Sequence, residues 1–407
     1  MPFIMIVVLI DMLSIGLIVP VLPPLVGLFT TDPAAQTHWY GVIMFAFALA
    51  SFFGAPLLGA LSDRFGRRPV LLIGFSGLAV NFVATALASA LWMLIAARIV
   101  GGFTQANAAV ANAYVADITA PEQRARRFGL LGAMFGIGFI LGPVLGGLLG
   151  AIDLRLPFWV AAGLTAVNFL YGVWVLPESL PPERRRAITW RAANPLASLQ
   201  ELTALHGVGR LVGVVALVGL AQYTLYTVWV LYATFRFGWG PRENGWSLFA
   251  VGVVSAIVQG GLMGRLLRIF TPQRLAVMGL ASSMLAYLGW GLATAGWMMY
   301  AVIFANVLGN TVAASINSII SAAADQHTQG QTLGAVSSLN SLMAVIAPAF
   351  GAALLGLVSH LPASDWRLGT PMYFCAMLLA LALVLARSHF RRLHAAGIGN
   401  PPAAAET

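Results

Sequence analysis

The sequence predicts an all-α membrane protein of twelve transmembrane helices, arranged as two six-helix bundles related by pseudo-symmetry. Three observations carry that reading. First, 59% of the 407 residues are hydrophobic and 9% are charged, where a soluble domain carries about 25% charged residues. Second, the apolar residues come in runs of about 20, each able to cross a hydrocarbon core of about 30 Å as a helix. No series of alternating segments of about 10 residues suggests a β-barrel. Third, the halves repeat: Gly59 falls on Gly264 and Pro143 on Pro348, an offset of 205 residues.

Span one covers 3–27. It opens at Phe3, holds Asp11, Pro20, Pro23 and Pro24, and lacks a basic leader, so it reads as a retained helix rather than a cleaved signal. Spans two (40–60) and three (70–90) are joined by Gly59-Ala60-Leu61-Ser62-Asp63-Arg64-Phe65-Gly66-Arg67-Arg68-Pro69. In that loop Gly59 permits close helix contact and Gly66 a tight turn, and Asp63 is placed to cap a helix. Arg64, Arg67 and Arg68 can reach lipid phosphates or a facing carboxylate. Span four (91–115) carries Arg98, Gln105 and Asn112, seven apart and so on one helical stripe.

Span five (128–150) holds a comb of small residues: Gly129, Gly138, Gly142, Gly146 and Gly147, with Pro143 among them. Spacings of three and four put Gly138, Gly142 and Gly146 on one face, where another helix can approach. Span six covers 157–177. The stretch 178–210 holds Arg184, Arg185, Arg186 and Arg191 with several prolines, and reads as a polar linker. The second bundle follows with spans 211–236, 244–265, 275–293, 297–320, 331–357 and 370–388, then a tail over 389–407. Span eleven repeats the span-five pattern, Gly142-Pro143-Val144-Leu145-Gly146-Gly147 matching Ala347-Pro348-Ala349-Phe350-Gly351-Ala352.

All 22 basic residues are Arg, and 13 acids leave a net charge of +9. In a soluble chain this balance would suggest nucleic acid; here the arginines set orientation. With the N-terminus cytoplasmic, the inner loops and tail hold 17 of them, the outer loops hold Arg155, Arg236, Arg242 and Arg367, and Arg98 stays inside a span. Both termini are therefore expected on the cytoplasmic side of a bacterial inner membrane. The single Cys375 excludes an internal disulfide, and the histidines show no metal-ligand spacing, so no metal is expected.

The motifs resemble those of the major facilitator superfamily, in its twelve-helix drug:proton antiporter branch. The Gly59–Pro69 loop is similar to that superfamily's signature loop, and the Gly129–Gly147 comb to the antiporter motif of helix five. Within the branch the chain most resembles the tetracycline/proton antiporters, through Leu9-Ile10-Asp11, Gly16–Pro23, Tyr114-Val115-Ala116-Asp117-Ile118-Thr119 and Gly142–Leu148. The tetracycline-like runs concentrate in residues 8–150. The resemblance implies proton-coupled efflux with no cofactor, a gating role for the loop and Asp117, and a leak-limiting role for the comb. The sequence departs from that family where its titratable residues of helices three, eight and nine fall: here stand Asn81, about Ser255, and Ala281 or Ser282.

Only Asp11 and Arg98 are charged residues lying well inside spans, and an intramembrane charge is a functional candidate by default. Asp11 is the candidate protonation site. The plain alternative is a fixed Asp11–Arg98 pair, although Asp11 lies about 12 Å and Arg98 about 25 Å from the cytoplasmic side of their spans. Asn81, Gln105, Asn112, Gln222, Tyr223, Tyr226, Trp229, Gln259, Asn306, Asn310, Asn317 and Asn340 are the candidate lining of a substrate cavity. Aromatics with a few amides suit a small amphipathic, planar molecule; the alternative is that each amide merely joins helices. The chain is thus expected to be a secondary transporter, not an enzyme, exporting amphipathic drugs against protons as a monomer. Its expected partners are the bilayer, the substrate and protons, without nucleic acid. A metabolite importer or facilitator is one rival reading; a membrane-embedded enzyme or lipid scramblase is another.

Overall fold

The computed structural model describes residues 2–105, 107–185, 187–188, 194, 209–323 and 329–395. Among these, every regular element is helical. Helix α1 is Pro2–Ile18, continued after a turn by Leu22–Gly27. Then come α2 (Pro33–Phe65), α3 (Arg67–Ala86), α4 (Leu91–Thr104 and Asn107–Asp117), α5 (Arg124–Gly150) and α6 (Leu156–Trp174). The second set is α7 (Gly209–Phe237), α8 (Pro241–Ile257, extended to Ile269), α9 (Pro272–Leu292), α10 (Gly296–Ala305 and Val312–Ala323), α11 (Gln329–Val358) and α12 (Thr370–Ala395). Among the described residues, ten spans are long and apolar enough to cross a membrane, and the bent pair of α10 makes an eleventh. The 17-residue first segment of α1, with its continuation, supplies the remaining crossing. The chain is a multi-pass membrane protein.

Local chemistry sets the boundaries. Asp32 caps α2, its Oδ1 accepting from the Ala35 N–H at 2.9 Å, with Pro33 in the first turn. The segment 61–69, expected as a loop, is almost all helix. α2 runs to Phe65, α3 restarts at Arg67, and Gly66 alone makes the turn at φ +109°, a conformation that favours glycine. Other boundaries also differ from expectation: α2 starts at Pro33 rather than at 40, and α12 runs on to Ala395 through the first part of the expected tail. Most of the linker, including Arg186 and Arg191, and the tail beyond 395 lie outside the described residues.

Spans four and ten, read as continuous, are each interrupted. The first segment of α4 closes at Gln105, whose ψ is 73°. Gly101 and Gly102 weaken the turn before it, and the Thr104 hydroxyl donates back to the Val100 carbonyl at 2.9 Å, a pattern that bends helices. In α10 the segments Gly296–Ala305 and Leu308–Ala322 meet at 48°. There Asn310 donates to the Asn306 carbonyl at 3.2 Å, an amide competing with the helix ladder. α8 carries a π-helical stretch over Val258–Leu262. Matching interruptions in both halves are what sequence periodicity could not show, because the apolar pattern runs straight through them.

The arginines of the expected outer face are mostly fixed to the structure. Arg155 donates to the carbonyls of Ala86 (3.2 Å) and Ala88 (2.9 Å) at the end of α3. Arg236 donates to Ala293 at 2.9 Å, and to Ala363 and Asp365 at 2.6 Å each. Arg367 pairs with Asp365 at 2.7 Å. Arg155 and Arg236 thus bond carbonyls at the C-terminal ends of α3 and α9, where intrahelical donors run out.

Candidate functional site: a buried carboxylate and a cavity between the halves

Asp11 is 2% exposed near the middle of α1. Its partner is not Arg98. Asn107, the first residue of the second segment of α4, donates from Nδ2 to Asp11 Oδ1 at 3.0 Å. The break in α4 puts this amide at a helix start, level with Asp11. Sequence reasoning missed it, yet the depth arithmetic contained it: with spans expected over 3–27 and 91–115, Asp11 and Asn107 each lie about 12 Å from the cytoplasmic side. α1 is also held by Asn168 of α6, whose Nδ2 donates to the Val7 carbonyl at 3.0 Å. Arg98 is buried elsewhere on α4, over the face of Phe47.

The comb on α5 faces α1. A Cβ at Gly142 would stand 2.6 Å from Gly16 Cα, and one at Gly138 would stand 2.7 Å from Met12 Cβ. Gly146 is equally tight against Leu17. Gly147 turns the other way, toward α8 of the second half, its Cβ position 2.5 Å from the Pro241 carbonyl and 3.1 Å from Gly245 Cα. So the comb serves two contacts, one within its own half and one across the halves. Gly129 takes part in neither: nothing lies within 4 Å of its Cβ position.

That contrast describes the state of the molecule. At one end α5 meets α8 at Gly147 and Gly245, and α2 meets α11 where Gly41 packs on Ala352 and Pro348. At the Arg-rich end Gly59, Gly129, Gly264 and Gly334 have no neighbour within 4 Å of a Cβ position. There a cavity of about 390 Å³ opens between α2 and α11, lined by Ser51, Pro56, Gly59 and Asp63 on one side and Ser337, Ser338 and Ser341 on the other. The halves are closed at one end and parted at the Arg-rich end.

The turn at Gly66 sits beside this opening, and its charges are satisfied within the first half. Arg67 pairs with Asp63 at 2.6 Å and with Asp117, at the end of α4, at 3.0 Å. Arg68 donates to the carbonyls of Gly172 and Val173 in α6. Glu178, another residue sequence reasoning missed, accepts from the backbone N–H of Arg67 (2.8 Å) and of Arg68 (3.2 Å), capping α3 from across the chain. In this state the arginines of the turn are held within the first half, and Arg64 lies over Phe65 at 5.2 Å.

The expected cavity lining divides. Gln222 donates to Tyr226 Oη at 2.7 Å, and Tyr223 packs edge-on to Tyr226. Gln259, on the π stretch, donates to Ser255 at 2.7 Å. Asn306 accepts from Ser282 at 2.9 Å, joining α10 to α9. The Asn340 Oδ1 lies 3.0 Å from a Cβ position at Gly219, between α11 and α7. Trp229 is not open lining: it is 3% exposed, bonded to Ser247 and stacked edge-on against Trp290. The proposed stripe of Arg98, Gln105 and Asn112 does not survive the break in α4. Gln105 closes the first segment, whereas Asn112 is exposed and folds back on the Ala108 carbonyl. Asn317 is exposed and Asn81 fully buried. Among the described residues, no group of His, Cys, Asp and Glu could hold a metal ion.

Broken helices paired across two like halves, around a cavity open to one side, define a secondary transporter. The chain belongs to the Major Facilitator Superfamily, whose family model matches residues 4–348. It is 37% identical to the class C tetracycline resistance protein of Escherichia coli over 368 residues, 90% of this chain and 92% of that one. It is 35% identical to the class D tetracycline resistance protein of Salmonella ordonez, over 94% of this chain and 95% of that one. The tetracycline-like similarity therefore spans both halves rather than concentrating in residues 8–150. In fold, the chain matches a bacterial homologue of the human lysosomal transporter Spinster with a TM-score of 0.75 at 16% identity, covering 98% of each chain.

Proposed function

We propose that the chain exports small amphipathic drugs, tetracyclines among them, from the bacterial cytoplasm in exchange for protons. The observation that carries this reading is the Asp11 carboxyl, buried in α1 where α1 packs on the comb of α5 and bonded to the start of a broken segment of α4. An ionised carboxylate is costly in the bilayer, by about 2.5–3.5 kcal/mol at a helix centre, and protonation removes that cost. With Asp11 ionised, Asn107 holds α1 to α4. Proton arrival weakens that bond and frees α1 to shift against α5, the helix that also touches the opposite half. Drug release and proton entry then become steps of one cycle.

The driving force is adequate. A tenfold proton gradient supplies about 1.4 kcal/mol per proton, and 100 mV adds about 2.3 kcal/mol. The gradient takes the place of any cofactor, and the chain works as a monomer in the inner membrane with its Arg-rich end cytoplasmic. The test loads proteoliposomes with a pH-sensitive dye and adds tetracycline, with a drug-susceptibility panel in whole cells alongside. Drug-dependent proton movement supports antiport; no proton movement with any drug of the panel overturns it.

A further inference from the structure

At the Arg-rich end the two halves treat their arginines differently. In the first half Arg67 is met by Asp63 and Asp117. In the second half Arg265, Arg268, Arg274, Arg387, Arg391 and Arg392 stand at that end. The acids among its described residues, Glu243 and Asp365, both belong to the opposite end, where Glu243 caps α8 and Asp365 pairs with Arg367. Among the described residues, none of these six arginines enters an ion pair. Two of them share a niche. Arg387 and Arg391, one turn apart on α12, line a cavity of about 400 Å³ with Phe390 of the same helix and Val277 of α9. α9 packs along α12, so the niche lies between two membrane-spanning helices. Arg210 of α7 adds positive charge to the same turn, its Nη1 donating to Ser388 Oγ at 3.2 Å.

An exposed arginine in water needs no partner, so charge alone defines no site. Three features set Arg387 and Arg391 apart. Like charges one turn apart on a helix repel. Between them and α9 lies a cavity with apolar walls, Phe390 and Val277. From it an apolar stripe runs down α12 toward the bilayer centre: Met377, Leu381 and Val384 are 52%, 48% and 64% exposed, at spacings of four and three. Arg391 stands seven residues beyond Val384 on that stripe. Met377 lies ten residues from Arg387, about 15 Å along the helix and so about half of a 30 Å hydrocarbon core. We propose that this niche holds one anionic phospholipid of the leaflet at the Arg-rich end, its phosphodiester between Arg387 and Arg391 and an acyl chain along Met377, Leu381 and Val384. Guanidinium groups pair with phosphate oxygens through paired N–H donors. Basic pockets between transmembrane helices at the membrane surface hold anionic lipid headgroups. The stripe favours a lipid over free phosphate, which would leave it without a role. The assignment is independent of what the chain exports.

The experiment counts lipids on the purified full chain by native mass spectrometry, titrating detergent micelles with anionic dioleoylphosphatidylglycerol or zwitterionic dioleoylphosphatidylcholine. The wild type is expected to bind one phosphatidylglycerol at least tenfold more tightly than phosphatidylcholine. Arg387→Gln with Arg391→Gln is expected to bring the two lipids within twofold of each other. Arg265→Gln with Arg268→Gln removes the same charge from exposed positions on α8 and is expected to keep the preference. Val277→Trp fills the niche with every arginine in place and is expected to weaken phosphatidylglycerol at least tenfold. Phosphatidylcholine binding, and a thermal midpoint measured without added lipid, report that each variant is folded. Equal binding of the two lipids by the wild type overturns the proposal, as does a preference that survives Arg387→Gln with Arg391→Gln. Equal loss in both arginine pairs shows attraction by net charge alone and overturns it. Inorganic phosphate that displaces the lipid at equal concentration assigns the niche to a free anion and overturns it too.

Discussion

Asn107 donates to Asp11 at 3.0 Å and joins the start of a broken helix segment to the middle of α1. Both residues are buried, Asp11 at 2% and Asn107 at 5% exposure. Asn107→Ala leaves the carboxyl oxygen without its donor, and a buried group stripped of its partner costs about 1–3 kcal/mol. The expected outcome is a lower thermal midpoint in detergent and drug transport that no longer keeps step with proton uptake. A variant as stable and as tightly coupled as the parent would show that the bond is incidental.

The comb makes opposite predictions at its two ends. Gly142 has no room for a Cβ beside Gly16, whereas Gly129 faces open space. Gly142→Ala should cost about 1–3 kcal/mol through overpacking. Gly129→Ala should be neutral or stabilise α5 by up to about 1 kcal/mol, because alanine favours a helix interior. Thermal midpoints of the two variants, measured side by side, decide between a packing device and a stretch of generally small residues.

Glu178 caps α3 through the N–H groups of Arg67 and Arg68 and lies beside the Arg67–Asp117 pair. Glu178→Ala should destabilise the first half by about 1–2 kcal/mol, the worth of a charged cap at a helix start. Asp117→Asn should show a similar but salt-sensitive loss, since its ion pair is only partly buried. Denaturation at two ionic strengths separates the two effects.

The parted Arg-rich end predicts a pattern of accessibility. Gly59→Cys and Ser341→Cys face the opening and should react with a membrane-impermeant maleimide applied to inside-out vesicles. Ala352→Cys sits at the closed contact with Gly41 and should stay unreactive from either side until turnover opens that end. The native Cys375 is fully buried and contributes little background.

Much of this architecture was written in the sequence, for identifiable reasons. Apolar runs of membrane length located the helices. Gly66 announced its turn because positive φ favours glycine, and the spacing of Gly138, Gly142 and Gly146 announced a close helix contact because small residues permit little else. The break in α4 was hidden, since Gln105 and its neighbours keep the apolar average of a continuous span. With the break went the stripe of Arg98, Gln105 and Asn112, and the partner of Asp11. Glu178 was hidden because a cap that acts from across the chain leaves no local pattern. Trp229 was misplaced for a different reason: an aromatic with a polar tip fits a cavity wall and a buried helix contact equally well, and only its bond to Ser247 distinguishes them.

The central claim is that Asp11 carries the proton that drives export. The most direct test reconstitutes the wild type and Asp11→Asn in proteoliposomes, imposes a pH gradient, and follows radiolabelled tetracycline together with lumenal pH. The account predicts that Asp11→Asn still binds drug and exchanges it down its gradient, but neither accumulates it uphill nor moves protons with it. Uphill accumulation by Asp11→Asn at the wild-type level, with protons moving in step, would contradict it.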